Sequence, residues 1–184
     1  MNKKIFILNG VGTSGKGVFV DFVSKYIPTH KYSIVDLPKE AAKILGWNGG
    51  KTEKDRKFLS DIMDLATEYN DSPYRDVAHL FYGFTTTLPE EVLIIDMRDP
   101  KDIARAARDF GAETILIRNP NVTQIKSNHA DRDVENYEYD YIIENDGTLK
   151  QLDEMAYLFV EQVIKKNCSE KPANFKCSDL VGEI

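Results

Sequence analysis

Short apolar runs alternate along this chain with longer stretches in which apolar residues return every three or four positions. The short runs are Ile5-Phe6-Ile7-Leu8, Tyr32-Ser33-Ile34-Val35-Asp36-Leu37, Val92-Leu93-Ile94-Ile95, Thr114-Ile115-Leu116-Ile117 and Tyr141-Ile142-Ile143. Runs of this length, rich in β-branched residues, predict strands buried in a sheet. The expected strands cover residues 4–9, 32–37, 92–96, 113–118 and 141–143. The periodic stretches predict helices. One occupies residues 16–27, with Val18, Phe22, Val23 and Tyr26 on a face and Pro28 as its end. Pro38 opens a second, which runs to about Leu45 and stops at Gly46. Phe58, Leu59, Ile62, Met63 and Ala66 share a face between Glu53 and Tyr69. Ser72 as N-cap with Pro73 at the first position starts another helix, which reaches Thr86. A further helix begins at Asp99-Pro100 and ends at Gly111, and Thr148 with Gln151 makes a capping box for the last one.

Strands that alternate with helices in this way predict an α/β fold with a parallel sheet covered on both faces. Ligands of such sheets bind beyond the C-terminal ends of the strands. Gly10, Asp36, Asp96 and Arg118 are all expected at that edge.

The first strand leads into Gly10-Val11-Gly12-Thr13-Ser14-Gly15-Lys16-Gly17, which opens the first helix. A strand, a G-x-x-x-x-G-K turn and a helix form the context of a phosphate-binding P-loop. Successive backbone N–H groups can curl around phosphates only where side chains do not intrude, hence Gly10, Gly12 and Gly15. The helix N-terminus adds N–H groups and the positive end of a dipole. Lys16 supplies a mobile positive charge for the β- and γ-phosphates. Gly17 departs from the pattern: a Ser or Thr hydroxyl at that place ligates Mg²⁺. Thr13 and Ser14 carry hydroxyls nearby, which also suit local turn formation.

The formal charge of −6 argues against a general nucleic-acid surface. Cys168 and Cys177 both lie near the C-terminus without metal-ligand spacing, as expected of a reducing, cytoplasmic setting. The basic Met1-Asn2-Lys3-Lys4 precedes too few apolar residues for a signal peptide, and no run approaches membrane-spanning length. No membrane partner is expected, and a homodimer is left open.

The order of these parts resembles the nucleoside monophosphate kinase-like branch of P-loop proteins, and within it phage-type deoxynucleoside monophosphate kinases. The likeness rests on Ile5–Gly10 with Ser14-Gly15-Lys16 and Asp21-Phe22, and on Leu37-Pro38-Lys39-Glu40-Ala41-Ala42. It continues in Asp96-Met97-Arg98, Ala104–Ala107, Gly111-Ala112-Glu113-Thr114 and Asn145-Asp146-Gly147-Thr148-Leu149. The resemblance implies a three-layer α/β/α P-loop NTPase fold with a five-stranded parallel sheet. It also implies one P-loop kinase-like domain over residues 1–166, with a helical acceptor-binding insert at 38–88 and a short lid-like segment at 119–139. Residues 167–184 are then a C-terminal tail.

The implied activity is ATP- and Mg²⁺-dependent phosphoryl transfer to a (deoxy)nucleoside monophosphate. Asp96 is the candidate for Mg²⁺ or its waters, with a loop or N-cap aspartate as the plainer reading. Arg98 either grips the acceptor phosphate or is an exposed loop arginine, and the resemblance favours the former. Asp36 suits a general base, a substrate-orienting acid or a helix cap equally. Arg56 and Arg75 lie in the insert where an acceptor would dock, although Lys51, Lys54, Arg56 and Lys57 together also read as a solvated helix face. Arg118 and Arg132 flank or occupy the lid-like segment, where an arginine can offset charge on the moving phosphoryl group. Two other functions fit the same residues: a P-loop kinase for another small metabolite or coenzyme precursor, and a nucleotide-binding sensor without turnover, which Gly17 suggests. No Asn-Lys-x-Asp guanine-reading motif is present, so a GTPase switch is the least expected.

Overall fold

A computed structural model describes residues 3–122 and 134–165, with the backbone of residues 174–176. The chain divides into two compact units, one made of Met1–Lys31 with Pro89–Ile184 and the other of Tyr32–Leu88.

The first unit opens with β1 (Lys4–Asn9) and α1 (Lys16–Tyr26). It resumes with β3 (Val92–Asp96), α5 (Pro100–Phe110), β4 (Glu113–Arg118), β5 (Tyr141–Glu144) and α6 (Leu149–Phe159), and ends with β6 (Asn174–Lys176). With β2 (Thr29–Ser33) the sheet order is β2-β3-β1-β4-β5-β6. The pairings of β1 with β3 and β4, of β4 with β5 and of β5 with β6 are all parallel. Four of the five expected strands are present where expected; the second is displaced to Thr29–Ser33 and shares only Tyr32 and Ser33 with the expected 32–37. The sixth, β6, lies inside the expected tail; Asn-Phe-Lys has no apolar run to announce it, and its hydrogen bonds to β5 create it.

Side chains alternate across the strands, so each face needs its own cover. On one face Phe6, Leu8, Ile94, Ile115, Ile117 and Ile143 form a core with Phe19 and Val23 of α1 and Leu152, Met155 and Phe159 of α6. Phe159 sets its ring edge-on to Phe6, Phe19 and Tyr141, with centroids 5.2, 5.8 and 5.6 Å away. The opposite-facing Ile7, Leu93, Ile95 and Leu116 are also buried, as are Ile103 and Ala106 of α5, which packs on β1 and β4. Each large side chain buried here is worth about 1.5–3 kcal/mol. Helix α6 continues into a wider π-helical segment, Val160–Lys165, that keeps Val160 and Val163 buried.

The second unit holds α2 (Asp36–Ile44), α3 (Glu53–Asn70) and α4 (Ser72–Thr86), packed on one another. Thr52 and Asp55 form a capping box at the start of α3. Two boundaries differ from expectation. Strand β2 ends at Ser33, and residues 34–35 form a turn. The Asp36 carboxylate accepts the Ser33 N–H at 3.0 Å and opens α2, so Pro38 lies within the first turn instead of at its first residue. Proline is tolerated throughout that turn, where its N–H would find no partner. Likewise Ser72 is the first residue of α4, and Asp71, left-handed at φ 56°, is its cap.

Candidate phosphate-binding site

The sheet order reverses at β1: β3 and β2 lie on one side, and β4, β5 and β6 on the other. A crevice opens beyond the strand C-termini at such a reversal, and the glycine-rich loop leaves β1 there. Gly10 has φ +152°, and a Cβ on it would sit 2.5 Å from the Ile117 carbonyl oxygen. Gly15, the N-cap of α1, has φ +101°, and its Cβ would meet Asn145 Nδ2 at 2.4 Å. Only glycine fits either place. Gly12 and Gly17 differ, since a Cβ on either would meet no atom within 4 Å. Thr13 adopts a left-handed φ of 67°, which is strained for a β-branched residue.

The loop is braced from distant parts of the chain. Asn145 Nδ2 donates to the Ser14 carbonyl at 2.9 Å, and the Asn145 N–H donates to the Arg118 carbonyl at 2.7 Å. Asn9 is fully buried; its Oδ1 accepts the Gly10 N–H at 2.7 Å, and its Nδ2 donates to Tyr139 Oη at 2.7 Å and to the Arg98 carbonyl at 3.3 Å. The Tyr139 hydroxyl in turn donates to the Val134 carbonyl at 2.9 Å. Burial pushes the Tyr139 phenol up to about 12, against the lowering effect of the Asn9 hydrogen bond and with help from the Glu135 and Tyr137 charges. The role of Asn9 and Tyr139 is not legible in the sequence, because they meet across 130 positions. Asn145 had only the family resemblance to mark it.

Lys16 folds back over the loop, and its ammonium donates to the carbonyls of Gly10 and of Val11, the latter at 3.3 Å. The Ser14 hydroxyl is a buried oxygen with no hydrogen-bond partner. At the opening of α1, helix geometry leaves the N–H groups of Gly17 and Val18 without an intrahelical acceptor.

Asp96 ends β3, in register with Leu8 of β1, and the Met97 N–H donates to the Leu8 carbonyl at 3.0 Å. Asp96 and Arg98 therefore lie at the same sheet edge as the loop. Arg118 ends β4 at that edge too, but its guanidinium is held by carboxylates. It donates to both Glu135 oxygens, at 3.1 and 2.5 Å, and to Glu144 at 2.9 Å. The Glu135 bonds raise its pKa above the ordinary guanidinium value, partial burial opposes them, and Glu144 adds to them. Next to the loop, Val11, Ile117, Pro120, Val122 and Val134 border a small recess of about 110 Å³.

The structure does not put Asp36 at a strand end. It is the first residue of α2 and is engaged by the Ser33 N–H and, at 2.9 Å, by Lys39. Arg56 and Arg75 are exposed on α3 and α4 of the second unit. Lys57, beside Arg56, pairs with Asp61 one turn on, as on a solvated helix face. Arg132 lies outside the described residues.

No known protein family's sequence profile matches the chain, and no curated protein matches it in sequence. Its structure is similar to the dephospho-CoA kinase of Campylobacter jejuni at 15% identity and a TM-score of 0.52, covering 90% of this chain and 100% of that one. A sugar kinase from a Janibacter species aligns at 11% identity and a TM-score of 0.49, covering 86% of this chain and 95% of that one. The shikimate kinase of Aquifex aeolicus aligns at 15% identity and 0.45, covering 85% and 96%. At these identities the likeness is one of fold. The chain has a three-layer α/β/α P-loop NTPase fold, with the phosphate loop at the reversal point of its parallel sheet.

That fold implies a nucleotide accompanied by Mg²⁺. Among the described residues no cluster of three or more His, Cys, Asp or Glu side chains could hold a metal ion, and Gly17 brings no oxygen. Mg²⁺ keeps most of its ligands as waters and substrate phosphates and needs only one or two carboxylates. The residues present fit an ion that arrives on the nucleotide and meets Asp96, and do not fit a preformed metal cage.

Proposed function

We propose that this chain is an ATP-dependent phosphotransferase whose acceptor is a (deoxy)nucleoside monophosphate. The observation that carries the reading is the loop: two glycines in conformations that only glycine adopts readily, a helix opening on it, and Lys16 folded over its carbonyls. A kinase that shares the fold agrees with this, although a fold alone does not fix a reaction.

In the proposed reaction an oxygen of the acceptor phosphate attacks the γ-phosphorus of ATP. The bond from that phosphorus to the bridging oxygen breaks, and ADP leaves. The Lys16 ammonium moves from the Gly10 and Val11 carbonyls to the β- and γ-phosphates. The amides at the start of α1 take the remaining charge. Arg98, two residues past Asp96, suits a bidentate grip on the acceptor phosphate. Arg118 would act on the moving phosphoryl group after exchanging Glu135 for it, and Arg132 has the same role from the lid-like segment. Asp96 would meet Mg²⁺ or its waters, and the ion would supply neutralisation of phosphate charge. Asp36, Arg56 and Arg75 are proposed for the acceptor side, and the partners are small nucleotides, not nucleic acid or membrane. No helix among the described residues is long and apolar enough to cross a membrane.

The test is ADP release across the nucleoside monophosphates, with sugars, shikimate-like alcohols and coenzyme precursors as alternative acceptors. Lys16→Ala should lower kcat/KM by roughly 10²–10³, the scale of losing one preorganised charge donor. Unchanged activity in that variant would refute the site. Transfer only to a non-nucleotide would move the assignment to another metabolite. A second reading, nucleotide binding without turnover, is favoured by Gly17. It predicts ATP binding without ADP release to any acceptor.

A further inference from the structure

The loop's hydroxyls are unevenly placed. Thr13 is exposed and its Oγ1 donates to the Gly12 carbonyl at 2.5 Å. Ser14 is 1% exposed, and its Oγ has no partner. The Ser14 main chain is already committed on both sides, its N–H to the Val11 carbonyl at 3.2 Å and its carbonyl to Asn145 at 2.9 Å. Its Oγ lies 2.8 Å from the point where a Gly10 Cβ would sit, and the Lys16 Cγ lies 3.3 Å from the same point. The hydroxyl is therefore inside the loop beside the lysine stem. A buried hydroxyl without a partner costs about 1–3 kcal/mol, so its place inside a phosphate-type loop calls for an acceptor to meet it.

Position 17 shows the opposite. It has no hydroxyl, and open space surrounds it. Among the described residues two carboxylates are placed by register at that edge, Asp96 at the end of β3 and Glu144 at the end of β5, and Glu144 is engaged by Arg118.

We infer that Ser14 donates its hydroxyl to the phosphate of the bound nucleotide and that, with glycine at 17, the loop binds ATP almost equally well with and without Mg²⁺. This rests on the donor-site reading above and deepens it. Lys16, the α1 amides and Ser14 are all donors, and none needs a metal to meet a phosphate oxygen.

The test is calorimetric titration of ATP into the full chain, once with excess Mg²⁺ and once with EDTA. Wild type should give dissociation constants within about threefold of each other, well short of the roughly 10-fold or greater effect of a directly supported metal site. Gly17→Thr, which the open space accommodates, should tighten the Mg²⁺ arm roughly 10-fold and leave the EDTA arm unchanged. Ser14→Ala should weaken both arms roughly 10-fold, the loss of one hydrogen bond to a charged group, with their ratio unchanged. Its melting temperature should hold or rise, since an unsatisfied buried hydroxyl is gone. If Ser14→Ala does not fold, Ser14→Cys, of similar shape but a weak donor, replaces it. Wild-type binding at least 10-fold tighter with Mg²⁺ would overturn the metal half, and undiminished affinity in the Ser14 variant would overturn the hydroxyl half. If no variant binds ATP in either buffer, the donor-site reading itself fails, and this inference with it.

Discussion

Gly10 and Gly12 stand two positions apart and do different work. A methyl group on Gly10 runs into the Ile117 backbone oxygen and meets a forbidden φ, so Gly10→Ala should cost at least about 2 kcal/mol in urea unfolding. Gly12→Ala meets no atom within 4 Å and should change stability by less than about 0.5 kcal/mol. Any loss of nucleotide affinity in Gly12→Ala then reports the space the phosphates need. Tyr139 offers a test with pH as the variable. Its folded pKa of about 12 exceeds the ordinary phenol value of 10.0, so the folded state holds the proton more tightly. That stabilisation is complete below pH 10.0 and is lost as pH rises through about 12. In Tyr139→Phe the two hydrogen bonds are absent, so the variant should be about 1 kcal/mol less stable at pH 8. The gap between the two proteins should close as the phenol ionises. A constant difference in melting temperature up to pH 11.5 would refute it.

The elements show which local signals survive folding. Both capping boxes form as their residues dictate, Thr52 with Asp55 and Thr148 with Gln151. Thr148→Ala should destabilise the protein by about 1 kcal/mol through fraying of α6, measurable by chemical denaturation. The C-terminal end of that helix matters more. Phe159→Ala removes a ring that touches three others in a closed core and should cost about 3–5 kcal/mol. Helices with strong caps and a clear apolar face were legible to within a residue or two. The exception was the start of α2, where Ile34 and Val35 read as strand and the Asp36 carboxylate instead turned the chain into a helix. The strand β6 was illegible because its order comes from a neighbouring edge and not from its own residues.

For the whole molecule, alternating strand and helix signals were enough to give the layered parallel sheet and the edge at which the glycine-rich loop lies. They could not give the parts of the site that depend on encounter. Asn145 bracing Ser14 across 131 positions, and Asn9 joining Tyr139, leave no periodic trace in the chain. Arg118 was legible as an arginine at a strand end, but its pairing with Glu135 and Glu144 was not. Its release has a measurable counterpart: Glu135→Gln weakens the clamp, so if Arg118 serves the reaction, turnover should not fall and the KM for ATP should drop. A lower kcat at unchanged KM would mean that the clamp itself positions the loop.

The resting place of Lys16 has a further consequence. Its ammonium already lies on the Gly10 and Val11 carbonyls. On the proposed donor-site reading, a phosphate meets a charge that the loop has already steered, so part of the lysine's loss of rotamer freedom precedes capture. Association on that reading trades one set of oxygen acceptors for another, and selectivity rests on which anion can outbid two main-chain carbonyls.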